Sequence, residues 1–178
     1  PKANADKGYV KVTKRLATLS ILLALSLALS YIDGIFSAMI PLPGVKLGLA
    51  NIGVVLFVCL NRYKSALGLS LVRVLLASLL FAGFSGFAMS LTGALLSFAV
   101  MLLCRKSGLL KVIGISAAGG IFHNIGQIAA AMLLAGTAQL YYYLPLLLIT
   151  GLICGLLTGT AAYSVLKNKF LRKALENC

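Results

Sequence analysis

At 178 residues, 61% of them apolar and 11% charged, with a mean hydropathy of +1.04, the chain lacks the polar surface that a water-soluble packing must present. The formal net charge of +13 would suit nucleic acid in a soluble protein, but the cations stand at the ends of long apolar runs, which reads as membrane topology and excludes a nucleic-acid patch. In lipid every backbone N–H and C=O must be satisfied within the chain, and the apolar runs are continuous, not alternating, so helices are expected and a β-barrel is not.

At roughly 20 residues per crossing, the chain holds about six helices and no separate soluble domain. The expectation is an all-α, multi-pass protein of the cell membrane: a basic cytoplasmic segment over 1–15, a six-helix membrane domain over 16–166 and a basic cytoplasmic tail over 167–178. The predicted spans are 16–32, 45–60, 65–81, 87–103, 110–134 and 142–166. Fourteen of the sixteen cations then fall on one side, before the first span and after the second, fourth and sixth. The positive-inside rule makes that side the cytoplasm and places both termini there.

The first span carries Ser20, Ala24 and Ala28 at every fourth residue, a smooth stripe that serves either internal packing or the docking of a separate membrane partner. Asp33 follows it and is the only acid between Lys7 and Arg172. Residues 41–51, Pro-Leu-Pro-Gly-Val-Lys-Leu-Gly-Leu-Ala-Asn, cannot continue a helix, so the chain must turn or re-enter there, delivering Lys46 and Asn51 on the outer side. In the third span Arg73 lies near the middle, on a face shared with Ser70 and Ala77. An ionisable group at that depth faces a cavity, a partner or the bundle interior, and Arg73 either contacts a ligand or ties down carbonyls or Asp33.

The fifth span places Gly120, His123, Asn124 and Gln127 on one helical face, a polar stripe read as a ligand or water-filled pocket, against the alternative of helix–helix hydrogen bonding. The sixth repeats glycine at 151, 155 and 159. Tyr141, Tyr142 and Tyr143 precede it, as an interfacial belt or as aromatic contacts of a site. In register, Asp33, Lys46, Asn51, Arg73, His123, Asn124, Gln127 and the tyrosines fall in the outer half. Two cations against one acid would suit a small organic anion, with Lys46 and Arg73 as its charge contacts. One histidine and scattered cysteines with no CxxC pair offer no metal site and no disulfide framework, and no catalytic residues are assigned.

The runs Leu-Ser-Tyr-Ile-Asp33, 41–51, Arg73-Val-Leu-Leu, Ser90-Leu-Thr-Gly-Ala and His123-Asn-Ile-Gly-Gln resemble the Gx transporter family, often labelled heptaprenyl diphosphate synthase component I. Asp33 stands where the resemblance leads one to expect an acid that is often Glu. That family is similar to the substrate-binding S components of energy-coupling factor vitamin transporters. The resemblance implies six helices, an outward pocket capped by the first loop, and docking of a coupling-module membrane subunit and its ATPases through small residues such as Ser20, Ala24 and Ala28. It also implies an alternative, a membrane subunit of a flavin- or quinone-linked electron-transfer system; no cofactor is otherwise expected. A third reading is a non-catalytic partner of a prenyl diphosphate synthase, because the chain lacks the clustered aspartates that would hold magnesium and diphosphate.

Overall fold

The structure, a computed structural model, describes residues 2–39 and 49–176, and among these it is helical with no strand. In chain order the helices are α1 (Lys2–Met39), a 3-10 turn (Leu49–Asn51) leading into α2 (Ile52–Cys59), α3 (Tyr63–Ala77), a π turn (Ser78–Ala82), α4 (Gly83–Ser107), α5 (Val112–Ala135), a 3-10 turn (Gln139–Tyr143), α6 (Leu144–Lys167) and α7 (Lys169–Glu176). Four helical stretches are long and apolar enough to cross a membrane: Arg15–Ile35, Tyr63–Ser107, Val112–Ala135 and Gln139–Lys167. The second has 45 residues, about 68 Å if straight, more than twice a hydrocarbon core of about 30 Å. It folds back at the π turn, where Gly83 takes a positive φ of 63° that a side chain would resist. The reversal brings its two ends together, and Arg105 Nε donates to Asn61 Oδ1 at 3.2 Å.

Other contacts gather at that same end. Arg62 donates to the Glu176 carbonyl, Arg15 and Lys64 line one groove, and Arg105, Val112, Lys167 and Arg172 line another. The Arg15 turn of α1, end of α2, start of α3, end of α4, start of α5 and end of α6 therefore share a basic end, and the passes alternate in direction.

One expectation is revised. The span expected over 45–60 is, within the described residues, only a 3-10 turn and the eight-residue α2, about 12 Å long. Every residue from Gly53 to Cys59 is buried, so this is a core helix sheathed by protein and not a lipid-facing crossing. Its continuous apolar run could not by itself separate the two cases. At the termini, α1 is helical from Lys2 with no break at residue 15, and the expected tail is partly helix: Asn168 Oδ1 caps α7 by accepting from the Phe170 and Leu171 amides, and Leu175 is buried in the core beside Cys59 and Ala162.

The tightest packing joins α5 and α6. A Cβ on Gly120 would meet the Gly151 carbonyl oxygen at 2.3 Å, one on Gly155 the Ala117 Cα at 2.7 Å, and one on Gly159 the Ile113 Cα at 2.8 Å. The α6 glycines are thus internal packing, because backbone lies directly on backbone. The Ser20, Ala24 and Ala28 stripe is different: all three are exposed, while Leu22, Ser26 and Asp33 turn inward. Gly151→Val is expected to lower the thermal midpoint in detergent strongly, by roughly 2 kcal/mol or more of overpacking, since only backbone could yield. Gly34→Ala, which meets nothing within 4 Å, should leave the midpoint almost unchanged.

Candidate functional site

Two neighbouring groups of buried polar side chains meet at Asn51. The first centres on Arg73, which its position on α3 turns into the bundle and which is buried. Its guanidinium donates to Asn51 Oδ1 at 3.1 Å and to Ser30 Oγ at 3.5 Å, and Ser30 Oγ in turn donates to the Ser26 carbonyl at 2.8 Å. The buried Asp33 acts electrostatically on the same guanidinium. Arg73 therefore joins α1, the 3-10 turn before α2, and α3, while its Nε has no hydrogen-bond partner among the described residues. Of the two roles open to it in the sequence, the clamp is visible, although it does not engage every donor of the fork.

The second group lines a narrow cavity of about 10 Å³, room for roughly one water. Asn51 contributes from one side, Ser97 and Met101 from α4, Ser116, His123 and Asn124 from α5, and Thr158 from α6. Ser116 to Asn124 covers nine residues, about 12 Å of helix, and begins only four residues into α5. The residues around the cavity thus reach from near the basic end to mid-bundle, whereas the polar stripe was expected in the outer half. His123 and Asn124 fall at the midpoint of α5 because that helix starts at Val112 and runs to Ala135.

Glycines let the walls close. A Cβ on Gly93 would meet the His123 carbonyl oxygen at 2.7 Å and Gln127 Cγ at 2.8 Å, so α4 lies directly over that pair. Thr92 Oγ1 donates to the Gly126 carbonyl at 3.0 Å and pins the same crossing. On the other side Asn124 Nδ2 donates to the Leu147 carbonyl at 2.7 Å, tying α5 to α6. Gln127 is 0% exposed, and neither its Nε2 nor its Oε1 has a partner among the described residues; the same holds for Ser97 Oγ and Thr158 Oγ1. Buried polar atoms without partners are costly, which marks this cluster as the candidate site.

Of the expected site residues, Asp33 and Arg73 fall in the first group, Asn51, His123 and Asn124 line the cavity, and Gln127 is buried one turn beyond His123 without lining it. Tyr142 is 82% exposed and lines no part of the cavity; it projects outward from the 3-10 turn before α6, as a residue of an interfacial belt would. Lys46 lies outside the described residues. Sequence reasoning missed Gly93, Ser97, Ser116 and Thr158. For Thr158 a signal existed, since it shares the helical face of Gly151 and Gly155; for Ser97 nothing but its polarity in an apolar run marked it.

Asn51→Leu is expected to destabilise the protein by about 1–3 kcal/mol by leaving the buried guanidinium without its acceptor, as read from thermal melts in detergent. Asn51→Asp, which keeps an acceptor, should lose much less.

No curated protein and no solved structure matches the chain. A family model does, over residues 22–165, which include both polar groups, and the chain accordingly belongs to the family described as heptaprenyl diphosphate synthase component I.

Proposed function

We propose that this chain is a six-pass membrane protein, its basic end in the cytoplasm, that captures a small organic anion or a vitamin- or isoprenoid-related compound in the buried polar cluster and works with a partner in its uptake. The observation that carries this reading is Gln127, fully buried with both amide atoms unpartnered among the described residues, set one turn from His123 and Asn124. A side chain kept for packing alone would be replaced at no loss by an apolar one of similar shape. Arg73 supplies the positive charge and Asn51 links it to the cavity.

The cavity has room for one water, so an organic ligand requires helices to part. Only 11% of the most apolar stretch of α1 is buried inside the protein, against 50% for α5, which makes α1 the element that shifts at least cost. In this proposal Lys46 joins Arg73 as an anion contact. The exposed stripe of Ser20, Ala24 and Ala28 is the face that meets a coupling-module membrane subunit, with energy supplied by its ATPases.

The family description favours a second reading, a non-catalytic membrane partner of a prenyl diphosphate synthase. The two separate on what gently purified protein retains and on one substitution. Mass spectrometry and an absorption spectrum of extracted small molecules should find a stoichiometric organic anion in the wild type. Gln127→Leu should raise the thermal midpoint, gaining about 1–3 kcal/mol by removing an unsatisfied buried amide, while cutting retention at least about tenfold. Retention unaffected by Gln127→Leu would count against capture in this cluster. Partner binding lost only on Ser20, Ala24 and Ala28 substitution, with no ligand retained, would favour the synthase reading. A bound flavin or quinone, visible by its absorption, would instead indicate electron transfer.

A further inference from the structure

A groove of about 310 Å³ separates α1 from α3 at the basic end of the bundle. Both helices run away from that end side by side, so position along the groove is depth from the basic surface. Arg15 and Lys64 stand at its mouth; Leu16, Leu19, Ser20 and Leu23 of α1 and Ser65, Leu69 and Val72 of α3 line it further in. No acidic residue lines it, and among the described residues the one close ion pair is Arg172 with Glu176, so neither cation is engaged in such a pair. Gly68 also lines the groove, and a Cβ there would meet nothing within 4 Å, so the missing side chain leaves the space open.

We propose that this groove holds one anionic phospholipid from the leaflet at the basic end, its phosphate between Arg15 and Lys64 and an acyl chain along the leucines past Gly68. The argument is charge complementarity combined with depth. Two cations at the entrance and an apolar lining beyond match a molecule that is anionic at one end and hydrocarbon for the rest of its length. Of the Ser20, Ala24 and Ala28 stripe only Ser20 lines the groove, and within the groove itself a partner helix fits less well. It is about 10–12 Å across and needs a smooth face through the roughly 30 Å hydrocarbon layer. The groove from Leu16 to Leu23 covers only about 10 Å of helix.

The test uses the full chain purified in mild detergent and offered phosphatidylglycerol and phosphatidylcholine, with bound lipid counted by native mass spectrometry. The wild type is expected to retain one phosphatidylglycerol with roughly tenfold preference over phosphatidylcholine. Replacing both cations (Arg15→Gln with Lys64→Gln) should abolish the preference. Gly68→Leu should reduce retention of the lipid while both cations remain; it grows into open space and exchanges a poor helix former for a good one, so its melting midpoint should not fall. Equal retention of the two lipids by the wild type would overturn the proposal. So would undiminished phosphatidylglycerol binding in both variants, or displacement of the lipid by a prenyl diphosphate at lower concentration. Because the groove and the central cluster share no residue, loss of lipid with Gln127-dependent ligand retention intact separates failure here from failure of the capture reading.

Discussion

The α5–α6 seam is the contact on which the rest of the bundle's interior depends. In an apolar solvent helices gain little from burying grease against grease, and close backbone approach with interhelical hydrogen bonds must supply the association. Gly120, Gly151, Gly155 and Gly159 allow that approach. Because the two backbones touch, Asn124 can reach the Leu147 carbonyl, and Thr158 is brought beside Ser116 at the same cavity wall. Gly93 and Gly126 repeat the device between α4 and α5. The polar residues of the site are therefore held on a frame of glycine contacts, and the cavity is narrow for the same reason that the frame is tight.

Against this compact half stands a looser one. α1 meets the bundle through few buried side chains, and much of its apolar length faces outward. Arg73 holds it from within through Ser30 and the neighbouring Asp33, beside the core contact of Leu22. A buried guanidinium is weak evidence for stability, since its desolvation offsets much of what its hydrogen bonds return. It is stronger evidence for a specific arrangement, because Arg73 has the right partners only when α1 and the turn before α2 are both seated. This couples the charge of Arg73 to the least buried helix, the element that the proposed capture requires to move.

The helical class, the apolar crossings and the gathering of cations at one end were legible in the sequence, because each depends on composition and on charge placed along a line. The polar face of α5 was legible too, since 3.6-residue periodicity alone puts His123, Asn124 and Gln127 together. Asn51 and Arg73 stood out as polar groups in apolar surroundings, but their hydrogen bond joins residues on different elements, and no local pattern announces it.

What the sequence determined by itself was the solvent: 61% apolar residues in long runs require lipid and therefore helices. Tertiary structure alone decided which apolar runs face that lipid. α2 is as greasy as any crossing, yet it is short and enclosed, while the equally smooth stripe of α1 lies open. Hydropathy measures only that a segment avoids water, and both protein interior and bilayer satisfy it. The distinction rests on how neighbouring helices approach, and that approach is set by glycines and buried polar contacts whose partners lie far away in the chain.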